Sequence, residues 1–260
     1  MEIIKSKDNP LIKKIVSLRE NRRDRVKNGL FVIEGLRFCR EAVLSGADIH
    51  TVLMTDEFYN SHLADADFIC STCSDVKIVS EAISKKLSDT VNSQGVFCVC
   101  AIPDENLELD GKKYIALENL QDPGNIGTII RTAEAFGIDG VIIIGSCADV
   151  YSPKVLRSTM GTIFRMPIFR FSDIKIANEQ FEKAELNVYG AVLDKNSALL
   201  SQTKLKEKSV CLIGNEANGL SSCAKEICSE FLIIDMPGNA ESLNAAVAAS
   251  VIMWEMIKHR

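Results

Sequence analysis

At 260 residues the chain can hold one large or two modest domains, and 47% hydrophobic content is ample for real cores. A net charge of −5 argues against a protein coated throughout by nucleic acid, and nine cysteines without regular spacing fit a reducing cytosol better than a disulfide framework. The charged N-terminus has no apolar signal core, and the most apolar run, 243–257, is short for a membrane span and contains Asn244 and Glu255, so a soluble, cytoplasmic protein is expected, with no membrane partner.

Residues 1–27 carry nine Lys or Arg against four acids, a basic arm on an acidic body. Ser6-Lys7-Asp8-Asn9-Pro10 reads as a helix entry, and Leu11, Ile15 and Leu18 fall on one side of the helix that follows. Its other side is either a solvated face or a phosphate-contacting one, with Lys13, Arg22, Arg23 and Arg25 as the RNA-binding candidates. From Gly29 short apolar strands (31–33, 49–54, 95–102) alternate with helices (36–44, 80–87), as in a small α/β domain. Cys70 and Cys73 form a lone C-x-x-C; a zinc site needs two more placed ligands, and with three histidines in the chain no metal is expected. The acidic stretch 104–111, ending in Asp-Gly, marks the boundary. The predicted organisation is thus a basic helical arm over 1–28, a small α/β domain over 29–103, a linker over 104–111 and a larger domain over 112–260.

In that larger domain, strands at 114–118, 140–144, 166–169, 187–193, 210–213 and 231–234 alternate with helices, which predicts a mainly parallel sheet covered on both faces. The segment 117–136 organises it. A strand ends where Asp122, Pro123 and Gly124 break the chain, and Asn125 is expected to cap a helix with Ile126, Ile129, Ile130 and Ala133 buried. Arg131 points away from that stripe, leaving it free to work at the strand-to-helix turn, where open α/β sheets bind ligands. A second strand is followed by Gly214-Asn215-Glu216-Ala217-Asn218-Gly219, whose glycines let backbone approach a ligand. The third, 231–234, leads to Ser242-Leu243-Asn244, with Ser242 expected as the helix cap and Asn244 as a second polar group at the helix start. The final helix is apolar nearly all round and must be covered on more than one side.

Asn125-Ile126-Gly127 with Arg131-Thr132-Ala133, Gly214-Asn215-Glu216 with Gly219-Leu220, and Ser242-Leu243-Asn244 resemble, in order, the three motifs of the SpoU/TrmH family of RNA 2'-O-ribose methyltransferases in the SPOUT superfamily. The resemblance implies an α/β domain with a deep trefoil knot, preceded by a small RNA substrate-binding domain, acting as a homodimer that binds S-adenosyl-L-methionine. It assigns Asn125, Arg131, Glu216, Ser242 and Asn244 to catalysis. Leu117, Gly214, Asn215, Gly219, Ile234, Met236 and Leu243 would meet the cofactor. Where family members often read Ile-Pro-Met, this chain has Ile234-Asp235-Met236-Pro237, which leaves the loop conformation there open. Ribosomal RNA is favoured over transfer RNA as substrate. The rival expectations are an RNA-binding protein of the same fold without methyl transfer, and a nucleotide-dependent oxidoreductase, which the missing Gly-x-Gly-x-x-Gly fingerprint disfavours.

Overall fold

Alternating apolar runs and capped helices build two units in the computed structural model, which describes residues 2–103, 108–194 and 196–258. One comprises Met1–Pro103 with Tyr151–Phe164, the other Asp104–Val150 with Arg165–Arg260. Of the expected linker, residues 104–107 lie outside the described residues.

The first unit runs β1 (Glu2–Ile4), α1 (Pro10–Glu20), α2 (Arg22–Asn28), β2 (Leu30–Glu34), α3 (Leu36–Leu44), β3 (Ile49–Thr55), α4 (Asp56–Ser61), α5 (Leu63–Cys70), β4 (Val76–Val79), α6 (Glu81–Leu87) and β5 (Val96–Ala101). Its sheet has the order β1-β4-β3-β5-β2, with β5 antiparallel to both neighbours. Asn9 starts α1 by accepting the Leu11 N–H at 2.8 Å, with Pro10 in the first turn. Ile12, Ile15 and Leu18 are buried, while Leu11 is only partly so, a rotation of about one residue from the expected stripe. The basic stretch is therefore no separate arm. β1 pairs with β4, and the apolar face of α1 joins the core formed by Val32, Leu53, Phe97 and Val99.

The second unit begins with β6 (Lys113–Glu118), α7 (Pro123–Phe136) and β7 (Gly140–Ile144). The chain then contributes α8 (Pro153–Thr159) to the first unit before continuing. Tyr151–Phe164 thus clusters with the first unit although it lies inside the span expected for the larger domain. Phe31 explains it: the rings of Tyr151 and Phe164 lie 4.7 and 6.0 Å from its ring, and Val155 and Leu156 of α8 are buried. The second unit resumes with β8 (Ile168–Phe171), α9 (Ile174–Lys183), β9 (Asn187–Ala191), β10 (Ala198–Leu199), β11 (Ser209–Ile213), α10 (Ser222–Ile227), β12 (Glu230–Ile233) and α11 (Ala245–Ile257).

Its sheet has the order β10-β12-β9-β11-β6-β7-β8, every pair parallel, and every residue of β7 and β11 is buried. From β6 the chain first extends the sheet through β7 and β8, then places its later strands on the opposite side, with β11 beside β6. The order of strands thus reverses between β6 and β11, the topological position where parallel sheets leave a crevice beyond their carboxyl ends. α11 buries Ala246, Ala249, Ile252, Met253 and Met256 and leaves Val247 and Trp254 exposed.

Candidate active site

The crevice is built from the turn after β6, the loop after β11 and the start of α11. After Glu118 the chain turns at Asn119, whose φ of 54° lies in the left-handed region that Asn tolerates better than most residues. The Asn119 side-chain oxygen accepts the Ser146 N–H at 2.8 Å, and its backbone carbonyl accepts from the Asn215 side chain at 2.9 Å. The α7 cap is Asp122, not Asn125. Its carboxylate accepts the Asn125 N–H at 2.9 Å, and Pro123, with no N–H to satisfy and φ already fixed, takes the first helical turn. Relieved of capping, the Asn125 side chain is buried and turned toward the other two loops.

In the loop after β11, Asn215 and Gly219 exchange backbone hydrogen bonds of 3.1 and 2.9 Å. The Asn215 side-chain oxygen accepts the N–H groups of Ala217 and Asn218. A Cβ on Gly214 would sit 2.2 Å from the Gly219 carbonyl carbon, so only glycine lets the loop fold back on itself. Glu216 projects from this loop toward α7. Its Oε1 accepts the Asp122 N–H at 3.0 Å and the Asn125 Nδ2 at 3.1 Å, and its Oε2 accepts the Gln121 N–H at 3.2 Å. Partial burial works against ionisation, but the backbone N–H groups and the Asn125 amide outweigh it and hold the carboxyl below the usual glutamate value.

Asn244, rather than Ser242, caps α11: its oxygen accepts the N–H groups of Ala246 and Val247 at 2.9 and 3.3 Å. Its Nδ2 donates to Asn125 Oδ1 at 2.9 Å. A tertiary partner therefore selects Asn244 over Ser242, an equally good cap by type. One amide, that of Asn125, thus joins Glu216 to Asn244.

Beside this chain of side chains lies a cavity of about 710 Å³, within the range of cofactor clefts. Gly214, Asn215, Gly219, Ile234, Met236 and Leu243 line it, as do Glu216, Ser242 and Asn244. Met236 forms part of the wall despite the displaced proline. Among the described lining residues Lys225 is the one cation, and none is a histidine. Leu117 is fully buried within the sheet, paired with Ile213 and Ile143, and is not among the residues lining the cavity. Arg131 stands exposed on α7, outside the lining, and its side chain makes no hydrogen bond or ion pair among the described residues.

In the first unit Lys13 is exposed and pairs with Asp8 at 3.1 Å, and Arg22 and Arg23 are exposed on α2. Arg25 differs from expectation. It is 3% exposed, and its Nη1 donates to the carbonyls of Leu18 and Arg19 at 2.5 and 2.8 Å, satisfying the end of α1. Sequence reasoning missed Glu118, Asn119 and Asp122. Asp122-Pro123 carries a cap-then-proline signal, and Glu118 is a charged residue at the end of an apolar strand.

Residues 112–254 match the model of the SpoU rRNA methylase family, and residues 9–98 match that of the MRM3-like substrate binding domain. Over 257 residues the chain is 32% identical to the 23S rRNA (guanosine(2553)-2'-O)-methyltransferase RlmP of Bacillus subtilis, covering 98% of this chain and 99% of that one. It is 29% identical to a 23S rRNA (uridine(2479)-2'-O)-methyltransferase of Streptomyces viridochromogenes, covering 94% and 88%. Among solved structures, the AdoMet-bound rRNA methyltransferase from Sinorhizobium meliloti superposes with a TM-score of 0.87 at 28% identity, covering 99% and 98% of the two chains. The SpoU methyltransferase AviRb from Streptomyces viridochromogenes with AdoMet gives 0.87 at 28% identity, covering 96% and 97%.

Proposed function

Since the chain belongs to the SpoU rRNA methylase family, we propose that this S-adenosylmethionine-dependent RNA ribose 2'-O-methyltransferase modifies large-subunit ribosomal RNA, as a cytoplasmic homodimer, from the crevice described above. The observation that carries the site is the hydrogen-bonded series Glu216–Asn125–Asn244, which ties together segments 91 and 119 residues apart at the mouth of one cavity.

The residues present fit the cofactor. Ile234, Met236 and Leu243 offer apolar wall for an adenine, and the Gly214–Gly219 backbone, which admits no Cβ at its first position, offers polar groups at close range. When bound, S-adenosylmethionine supplies a methyl carbon activated by a positively charged sulfur. The chain's own part is to hold the reactants in attack geometry, which alone is worth several kcal/mol. Asn125 and Asn244, with fixed amides, orient groups at the cavity mouth. Glu216 is a poor proton acceptor, because three N–H donors already occupy its carboxylate and favour its ionised form. The proton of the ribose hydroxyl therefore passes to a phosphate oxygen or to water. Arg131, permanently charged, aligns the adjacent phosphate and stabilises the developing alkoxide.

Arg131 serves the partner subunit's crevice in this reading. Support comes from the exposed side of α7, formed by Thr128, Arg131 and Ala135, and from the exposed apolar residues Val247 and Trp254 of α11, which packs on α7. The rings of Phe136 and Trp254 lie 5.8 Å apart and join the two helices into one surface suited to a second copy. The knot and the RNA-contacting role of Lys13, Arg22 and Arg23 belong to the same proposal. The test is incubation with unmodified 23S rRNA and methyl-labelled cofactor, followed by mapping of blocked 2'-oxygens. A single labelled ribose in 23S rRNA is the expected result. RNA binding without label transfer identifies instead a non-catalytic RNA-binding protein.

A further inference from the structure

β6 is apolar from Tyr114 to Leu117 and then ends in a carboxylate, Glu118, that is only 3% exposed. Burying such a charge is costly, and an apolar residue of similar size is the stabler occupant unless the bonds it makes serve another purpose. Glu118 directs both oxygens at one residue on a distant part of the chain. Its Oε2 accepts the Ser221 N–H at 2.8 Å and its Oε1 accepts the Ser221 hydroxyl at 2.6 Å. The same hydroxyl oxygen accepts the Ala224 N–H at 3.1 Å and so caps α10.

The neighbouring residue acts on the other end of the same loop. The Asn119 carbonyl holds the Asn215 side chain, while Gln121 and Asp122 hold Glu216 between them. Ala217, Asn218 and Gly219 are exposed, so the loop has little packing of its own and depends on its anchors for a fixed shape. The second unit therefore grips the Gly214–Leu220 loop from one strand end, at its start through Asn119 and beyond its finish through Glu118.

We infer that Glu118 is a positioning residue for cofactor binding. By fixing Ser221 it sets the loop conformation in which Gly214 to Gly219 face the cofactor cavity. The inference rests on the reading of that cavity as the S-adenosylmethionine site. It concerns cofactor binding and not RNA binding.

Two substitutions separate reach from charge. Glu118→Asp withdraws the carboxylate by one methylene. Glu118→Gln keeps the length, with Oε1 accepting the Ser221 N–H and Nε2 donating to the Ser221 oxygen. Dissociation constants for S-adenosylmethionine and S-adenosylhomocysteine are measured by calorimetry, RNA affinity by filter binding, and unfolding by thermal melts. Expected for Glu118→Asp is a loss of about tenfold in affinity for both cofactor forms, the scale of a lost hydrogen bond to a charged group. RNA affinity and the rate at saturating cofactor stay near those of the parent, and Glu118→Gln restores most of the cofactor affinity. Ser221→Ala gives the same pattern, and combining it with Glu118→Asp adds little further loss, as for two ends of one interaction.

Unchanged cofactor affinity in folded Glu118→Asp overturns the inference, as does an equal loss of cofactor and RNA binding. If Glu118→Asp does not fold, Ser221→Ala decides by the same assays. Failure of the unaltered protein to bind either cofactor form overturns the reading of the cavity itself. Binding by the unaltered protein that the variants leave untouched overturns only the role of Glu118.

Discussion

Asn125 uses both ends of a single amide, donating to Glu216 and accepting from Asn244, so its orientation is fixed by the two segments it joins. That these three residues fall in three motifs is legible in the sequence; that they bond to one another is not, because an amide's direction depends on partners 91 and 119 residues away. At Leu117 the pattern says less. A strand buried on both faces gives no alternation from which to tell which side a cavity lies on. Arg131→Lys keeps the charge but loses the planar fork, so the single-turnover methyl-transfer rate is expected to fall roughly 10- to 100-fold with RNA affinity nearly unchanged. A rapid-quench assay reads it. For Glu216 the depressed folded-state pKa means that its stabilising contribution is fully present above the ordinary glutamate value of about 4.3 and is lost as pH falls through the lower folded value. Melting temperatures of the parent and of Glu216→Gln should differ at neutral pH and converge on acidification, as calorimetry across pH 2 to 7 will read, on the order of that range for a carboxylate.

Periodicity found most of the elements and failed where it carried no phase. In α1 the spacing places the stripe within one residue of the observed face, because charged residues define the opposite side. In α11 apolar residues surround the helix, so no spacing could say that Ala246, Ala249, Ile252, Met253 and Met256 face inward. β1 and β4 escaped notice because they are three and four residues long and are held by the sheet rather than by pattern. The basic stretch offers a test between elements. Arg25→Ala leaves the α1 carbonyls of Leu18 and Arg19 without their donor and should destabilise the protein by about 2 to 4 kcal/mol in urea unfolding, without changing the salt dependence of RNA binding. The double change Arg22→Ala with Arg23→Ala should do the reverse. Stability should hold, and the slope of log affinity against log salt should flatten by roughly one to two, as for two lost phosphate contacts.

For the molecule as a whole, the alternation of strands and helices after residue 112 was enough to foresee a parallel sheet, and three motifs at strand ends were enough to locate its crevice. Oligomeric state gives the check on the proposed pairing. Val247→Glu together with Trp254→Glu places two charges in the exposed apolar surface of α11, and sedimentation velocity should then report a monomer. Methyl transfer should fall with it, since each crevice would lose the neighbour's guanidinium. The assignment of Tyr151–Phe164 to the first unit is beyond sequence reading, since ring contacts with Phe31 leave no periodic trace. That excursion bears on synthesis. As the chain leaves the ribosome, its leading unit cannot close around Phe31 until residue 164 has cleared the exit tunnel, by which time β6, α7 and β7 are already outside. The earlier unit is therefore completed only after the first elements of the later one have emerged.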